Sequence, residues 1–375
     1  MKVLVTGARG FIGKNLCTVL ENMEDIELLK YSHDDAPDRL RNIASDIGFV
    51  FHLAGVNRPK DEKEFNQGNL GFTETLLGIL EKSGNTPGFV FASTIQAKLD
   101  NPYGKSKKDA EDAVFSWAKR TGAKAVVYRL PNVFGKWCRP NYNSVVATWC
   151  HAVAHGKPLR IDDTEKVLTL VYIDDVVQEF LNALKDVPAI DDEGYGTVQR
   201  KYQVKLQYIA DALLSFRDSR QNLVLPDFSD DFTRALYGTY LSYLPEEDFS
   251  YKLGTRSDDR GWLAEFIKSP AIGQIFVSTT KPGITRGNHW HHTKTEKFLV
   301  VKGEATIKFR KIGGERVLEY RVSGDRPEVV DIPTGYTHSI TNTGTEELVT
   351  LFWANEILNP EKPDTYYSEV EKDEL

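Results

Sequence analysis

The sequence predicts an α/β chain in two parts: a doubly wound parallel sheet over residues 1–245 and an all-β barrel over residues 246–375. Three observations carry this. Short, wholly apolar runs alternate with stretches of helical spacing through the first part, as buried parallel strands between helices require. A glycine-rich loop, Thr6-Gly7-Ala8-Arg9-Gly10-Phe11-Ile12-Gly13, lies between the first such run and the first helical stretch. The texture then changes near Pro245-Glu246-Glu247-Asp248, beyond which short β runs follow one another between Gly and polar turns. A chain of 375 residues is too long for one ordinary domain of about 100–200 residues, so two domains are expected.

In chain order, residues 3–6 read as a strand and 11–20 as a helix. Strands follow at 26–30 and 49–53, a helix at 62–81, a strand at 88–92, a helix at 105–119 and a strand at 125–130. A strand at 168–173 leads into a helix ending at 184, and a helix at 206–216 extends the same layers. In the second part the strands are 273–279, 298–301, 305–309, 317–322, 329–332 and 348–353, divided by clusters such as Gly313-Gly314 and Asn342-Thr343-Gly344.

Lys and Arg number 47 against 54 Asp and Glu, a formal charge of −7. That balance lacks the basic footprint of a nucleic-acid or anionic-membrane binder. No run of about 18 apolar residues is present, so no membrane helix is expected. No signal-peptide pattern opens the sequence. Cys17, Cys138 and Cys150 are scattered and give neither a CxxC pair nor a disulfide framework. A cytoplasmic protein is expected.

The glycine loop has a physical use. Glycines let the backbone approach a pyrophosphate, and the amides at the start of the following helix bind its charge. Gly7, Arg9, Gly10, Phe11, Ile12 and Gly13 are therefore candidate cofactor contacts in a Rossmann-type unit. Where NAD is bound, a carboxylate about 20 residues on holds the ribose. Here the second strand ends Leu28-Leu29-Lys30-Tyr31-Ser32-His33, with Glu27 inside it and Asp34 and Asp35 late. A 2′-phosphate meets no repulsion at such a tip, and Arg9, Lys30, Ser32 or His33 can contact it. NADP(H) is expected rather than NAD.

Tyr103-Gly104-Lys105-Ser106-Lys107 follows, with Ser93-Thr94 upstream at a strand end. Residues four apart share one helix face. A nearby ammonium, helped by a positive nicotinamide, lowers a phenol's pKa toward working pH, so that Tyr103 can give a proton to a carbonyl oxygen. Thr94 or Ser93 can bond the same oxygen. A tyrosine four before a lysine is common by chance; the glycine loop and the Ser/Thr strand end give it meaning.

Together these residues resemble the extended short-chain dehydrogenase/reductase family over about residues 1–243. Phe51-His52-Leu53-Ala54-Gly55 is similar to its third-strand motif, which implies that Leu53, Ala54 and Gly55 flank the cofactor. Arg129-Leu130-Pro131-Asn132-Val133-Phe134-Gly135 and Val171-Tyr172-Ile173-Asp174-Asp175-Val176 resemble its nucleotide-sugar region. The resemblance implies Thr94, Tyr103 and Lys107 as the catalytic set, with Ser93, Asn132, Arg139 and Asn143 toward the substrate. Ala97-Lys98 departs from the family's usual Tyr-Gly.

In the second part, His289 and His291 are two apart and face the same way on a strand. Glu296 starts the next strand, and His338 returns from a distant one. Three imidazoles and a carboxylate make a site for a divalent transition metal; by ligand chemistry Zn, Fe, Mn and Ni all fit. His292 reads as exposed or as lying just behind the ligands. The pattern resembles the two-part cupin motif, with Pro327 where the second half usually begins with glycine. Asp259-Arg260-Gly261-Trp262-Leu263-Ala264-Glu265 and Arg286-Gly287-Asn288-His289 are similar to segments of dTDP-4-keto-rhamnose 3,5-epimerases, where the matching histidine is a base. Glu296 and His338 favour the metal-ligand reading here, because a coordinated nitrogen cannot also take a proton.

A reductase joined to an epimerase-like cupin resembles the bifunctional enzymes of bacterial capsular polysaccharide and O-antigen synthesis. That resemblance implies a UDP-2-acetamido-2,6-dideoxy-4-hexulose, inverted at C3 by the cupin and reduced at C4 with NADPH. The product would be UDP-2-acetamido-2,6-dideoxy-L-talose, on the route to UDP-N-acetyl-L-fucosamine. Zinc and a homodimer are implied too. The alternative is a single-function NADP-dependent nucleotide-sugar 4-ketoreductase with a purely structural, dimerising cupin. The sequence does not name a C3 base.

Overall fold

In a computed structural model, which describes residues 1–32, 34–59 and 61–371, strand alternation organises the first part. Strands β1 (Lys2–Thr6), β2 (Glu27–Tyr31), β3 (Phe49–His52), β4 (Gly88–Thr94) and β5 (Ala125–Leu130) form one parallel sheet in the order β2-β1-β3-β4-β5. Val3, Val5, Phe49, Phe51 and Val90 enter one apolar layer, whereas Leu4, Val50, Phe89 and Phe91 enter the other. Both faces are covered, so each strand reads as a continuous apolar run.

The helices are α1 (Phe11–Leu20), α2 (Pro37–Ile43), α3 (Lys63–Phe65), α4 (Phe72–Lys82), α5 (Pro102–Thr121), α6 (Val145–Ala154) and α7 (Ile173–Leu184). Leu16, Cys17 and Leu20 of α1 share a layer with Val176, Val177 and Phe180 of α7. Leu40 of α2, Leu76, Leu77 and Leu80 of α4, and Val114 and Trp117 of α5 fill the opposite layer. Strands β6 (Asn132–Phe134), β7 (Val167–Tyr172) and β8 (Tyr202–Lys205) make a small second sheet, followed by α8 (Leu206–Asn222) and α9 (Asp231–Leu241).

Two elements differ from expectation. The helix expected at 62–81 is divided: a π-helical segment, Asn66–Gly71, separates α3 from α4. Its wider turn carries Asn69, which accepts from the Val56 amide at 2.8 Å and donates to the Val56 carbonyl at 3.1 Å. The helix expected at 105–119 starts earlier, because Asn101 caps it by accepting from the Gly104 amide at 2.7 Å and Pro102 opens its first turn. Tyr103 is thereby in the first turn of α5.

The second part is all β: β9 (Thr255–Asp258), β10 (Gly261–Ser269), β11 (Gly273–Thr280), β12 (Thr285–Trp290), β13 (Glu296–Lys302), β14 (Glu304–Lys311), β15 (Val317–Ser323), β16 (Val329–Ile332), β17 (Tyr336–Asn342), β18 (Leu348–Ala354) and β19 (Tyr366–Tyr367). They form two antiparallel sheets, β16-β13-β18-β11-β10-β9 and β15-β14-β17-β12-β19. Phe298, Val300, Ile307, Phe309, Ile340, Leu348 and Phe352 make the core. The predicted fold class, a doubly wound parallel sheet followed by an all-β part, is the one observed.

By contacts the chain divides into Met1–Leu213 with Ala235–Leu244, and Leu214–Arg234 with the chain from Pro245 onward. Segment 214–234 joins the β part through a backbone bridge, Lys268 donating to the Leu223 carbonyl and Leu225 to the Lys268 carbonyl, each at 2.8 Å. No helix among the described residues is long and apolar enough to cross a membrane.

Candidate active site and metal centre

The strand order of the parallel sheet reverses between β1 and β3. Ligands of open α/β sheets bind outside the carboxyl ends of the strands at such a point. Gly7 follows β1 with φ +69°, and a Cβ there would lie 2.7 Å from the Ala54 nitrogen. Only a glycine lets the β1 and β3 loops come so close. The Ala54 amide in turn donates to the Thr6 hydroxyl at 3.3 Å. At α1 no side chain caps the N-terminus, which leaves its first amides to a ligand. These features fit a dinucleotide pyrophosphate.

A cleft of about 1160 Å³ opens there. Gly7, Arg9, Gly10, Phe11, Ile12, Gly13, Leu53 and Gly55 line it, together with Ser93, Thr94, Tyr103, Lys107, Asn132, Arg139 and Asn143. Residues from the glycine loop, the strand ends and the region after β5 thus meet in one cavity. Ser32 lines a smaller adjoining hollow of about 570 Å³, with Arg9, Lys14, Lys30 and Arg39. His33 lies outside the described residues.

The β2 tip is not free of carboxylates. A turn brings Asp35 back to accept from the Ser32 amide at 2.7 Å, and Arg39 pairs with it at 2.5 Å. Asp34 pairs with Arg9 at 2.6 Å. Sequence distance alone had placed both acids too late.

Thr94 ends β4 and caps the turn after it, accepting from the Gln96 amide at 3.2 Å. Lys107 is buried. Its ammonium donates to the Ala92 carbonyl at 2.8 Å and lies 4.1 Å from the Phe91 ring centre. Burial pulls its pKa down to about 7, opposed by the charge of Glu111. The expected lowering of the Tyr103 pKa is not what its protein surroundings produce. Burial, and next Tyr142, push the phenol up to about 12; the lysine alone does not bring it down.

Ser93 has a different commitment from the expected one. Its hydroxyl donates to the fully buried Glu111, whose carboxylate also takes the Arg129 guanidinium at 2.6 Å. It borders the cleft, but its hydroxyl is held by that ion pair. Arg58, Gln96, Trp137, Tyr142 and Tyr243 also line the cleft and went unread in the sequence. Tyr142 has Arg58 and Arg139 at 5.8 and 5.4 Å from its ring centre. No motif marks Arg58, whereas Tyr142 stands between two residues already singled out.

In the β part, β12 carries a bulge. Gly287 pairs with Ser339 and His289 with His338, so Asn288 is an extra residue, at φ +54°. The bulge sets His289 directly across from His338, with ring centres 4.6 Å apart. His291 lies just past the end of β12, its ring 5.0 Å from that of His289. One ligand atom from each of His289, His291, Glu296 and His338 lies within 4.8 Å of the others.

The donor set fits a divalent cation. The His291 and His338 Nε2 atoms are each 3.4 Å from a Glu296 oxygen, and neither has a hydrogen-bond partner. Buried nitrogens without partners are costly unless something else takes their lone pairs. The His291 Nδ1–H donates to the Asp364 carbonyl at 2.6 Å, which turns the Nε2 lone pair toward the cluster. His292 is exposed and meets the Trp290 ring edge-on, outside the cluster.

Comparison with known proteins follows the same division. The NAD dependent epimerase/dehydratase family matches residues 3–195, and the polysaccharide biosynthesis C-terminal domain matches residues 256–366. The chain is 43% identical to a UDP-2-acetamido-2,6-beta-L-arabino-hexul-4-ose reductase of Pseudomonas aeruginosa, over 99% of each chain. The capsular polysaccharide assembling protein CapF of Staphylococcus aureus superposes with a TM-score of 0.94 at 46% identity, over 99% of this chain and 100% of that one. A UDP-glucuronic acid 4-epimerase of Bacillus cereus, 19% identical with a TM-score of 0.52 over 65% of this chain and 98% of its own, shows the fold alone.

Proposed function

The chain belongs to the NAD dependent epimerase/dehydratase family, in the CapF type that carries a polysaccharide biosynthesis C-terminal domain, and we propose that it works on a UDP-2-acetamido-2,6-dideoxy-4-hexulose in two steps. The β part inverts C3, and the first part then reduces the C4 ketone with NADPH to UDP-2-acetamido-2,6-dideoxy-L-talose. The observation that carries this reading is the presence in one chain of two candidate centres. One is Thr94, Tyr103 and Lys107 on a dinucleotide-type cleft; the other is a buried three-histidine, one-carboxylate cluster.

When bound, the nicotinamide supplies the hydride for the carbonyl carbon. Tyr103 is the proton source. A phenol pushed up to about 12 is fully protonated at neutral pH, the state a reduction needs. Thr94, at the end of β4, would hold the same carbonyl oxygen by a hydrogen bond. Lys107 places charge one helical turn from Tyr103, fixed by the Ala92 carbonyl, where it favours the phenolate left after proton transfer.

NADP is favoured by the hollow beside Ser32. Arg9, Lys14, Lys30 and Arg39 border it, against the carboxylates of Glu21 and Asp35. Cations outnumber acids there, as a 2′-phosphate requires.

When bound at His289, His291, Glu296 and His338, a divalent cation, proposed as zinc, supplies positive charge for an oxygen that turns negative as C3 loses its proton. The order of steps follows from the substrate. A 4-ketone makes the C3 proton acidic, and reduction removes that acidity, so inversion comes first.

NMR of the UDP-keto-sugar incubated with the full chain tests the reading. Without NADPH, solvent deuterium should enter C3; with NADPH, the talose derivative should form. A hexulose unchanged under both conditions would overturn it.

A further inference from the structure

The segment that closes the chain's described structure touches three of the four clustered ligands or their neighbours. Strand β19 pairs with β12, His289 opposite Tyr367 and Trp290 opposite Tyr366. The Ser368 amide donates to the Asn288 carbonyl at 2.9 Å, which holds the bulge. The hydroxyl of Thr337, next to His338, donates to the Ser368 carbonyl. Arg310, almost fully buried, donates to the carbonyls of Glu369 and Val370 at 2.5 and 2.9 Å.

Asp364 makes the densest of these contacts. Its carbonyl takes the His291 Nδ1–H. Its carboxylate accepts the successive amides of His292, Thr293 and Lys294 at 3.0, 2.9 and 2.9 Å, and the Thr293 hydroxyl at 3.0 Å. The buried Lys294 closes the loop by donating to the Pro363 carbonyl and the Thr365 hydroxyl, both at 3.1 Å. Asp364 itself sits at φ +41°, a conformation that few non-glycine residues adopt and that surrounding bonds must hold.

We propose that residues 363–370 form a strap that positions the metal centre, with Asp364 as the positioning residue acting through His291. The carboxylate pins the loop that follows His291, and the carbonyl fixes which ring nitrogen faces the cation. Linkage then works both ways: the strap raises cation affinity, and a bound cation steadies the strap. The inference rests on the metal reading given above and adds to it a residue that does not touch the metal.

The test uses the full chain and Zn²⁺ titrated against a chromophoric chelator, for the wild type, Asp364→Ala and Asp364→Asn. Asp364→Ala keeps the carbonyl that His291 donates to but removes the carboxylate bonds that hold it in place, and losing the hold of an outer-shell partner typically weakens metal binding about 10–100-fold. Asp364→Ala should fall in that range, and Asp364→Asn, which tolerates the positive φ and keeps one acceptor oxygen, should lose less. Co²⁺ in place of Zn²⁺ should show altered visible bands in Asp364→Ala, while NADPH binding stays at the wild-type value. Should Asp364→Ala not fold, hydrogen exchange of the wild type decides: Zn²⁺ should slow exchange in residues 292–294 and 363–370. A wild type that takes no Zn²⁺ overturns the metal centre and the strap together. A wild type that binds Zn²⁺ overturns the strap alone in either of two cases: Asp364→Ala matches its affinity and Co²⁺ bands, or Zn²⁺ leaves residues 363–370 unprotected.

Discussion

Lys107 answers two opposed forces. Burial drives its ammonium toward neutrality, and Glu111, one turn further along α5, draws it back toward charge, with a pKa near 7 as the result. On the proposed mechanism, below that value the charged side chain favours the phenolate of Tyr103, and above it the neutral amine does not. The kcat/KM for NADPH, which reports groups in the enzyme before cofactor binds, should therefore fall as pH rises through about 7. Glu111→Gln removes the charge that raises Lys107, so the same descending limb should move to lower pH. A profile flat up to pH ~9 would show that the lysine's charge is not needed. That Thr94, Tyr103 and Lys107 border one cleft was legible from a strand end and a four-residue helical spacing, while the choice of Thr94 over Ser93 came from the family resemblance. The Tyr103 environment was not legible, since it depends on Tyr142, which is distant in sequence. The bond that engages the Ser93 hydroxyl was hidden for the same reason: its partner, Glu111, is on the next helix.

Elements were legible where one face repeats regularly, and opaque where a single residue breaks the period. The π-helical segment Asn66–Gly71 and the bulge at Asn288 are both of this kind. The two-residue spacing foretold His289 and His291 in one cluster, although His291 lies past the end of β12 and is oriented by its bond to Asp364; it gave no reason for His289 to stand opposite His338. The bulge supplies that reason, and Gly287 permits it. Gly287 has φ +100°, and a Cβ there would lie 2.7 Å from the His338 carbonyl oxygen. Gly287→Ala should thus force β12 away from β17 at the point where the two imidazoles meet. The backbone strain alone costs about 1–3 kcal/mol. The expected outcome is a lower melting temperature for the β part and Zn²⁺ affinity reduced about tenfold or more, because one of four donors is displaced. Unaltered Zn²⁺ affinity would mean that the cluster does not depend on this register.

Across the whole molecule, the division into a parallel α/β part and an all-β part was visible in the change of texture near residue 245. The grouping of 214–234 with the β part was not, because it depends on backbone bonds to Lys268 that no composition or periodicity encodes. The two centres proposed above lie in different parts: Tyr103 and Lys107 in the first, the histidine cluster in the second. Their chemistries should accordingly be separable by single substitutions in the full chain. His338→Ala removes one donor from the cluster and so weakens the hold on the cation proposed to stabilise the developing oxyanion, a loss that typically costs about 10²–10³-fold. Deuterium entry at C3 of the keto-sugar, measured without NADPH, should fall by that order. NADPH oxidation with a sugar already inverted at C3 should continue. Tyr103→Phe should do the reverse: it should leave C3 exchange intact and lower the reduction about 10²–10⁴-fold, the usual contribution of a positioned acid. The single-function alternative predicts another pattern, in which His338→Ala changes neither activity except through stability, since C3 would not exchange at all. The outcome that counts against a division of labour is loss of both activities in both variants, with each protein folded and binding NADPH.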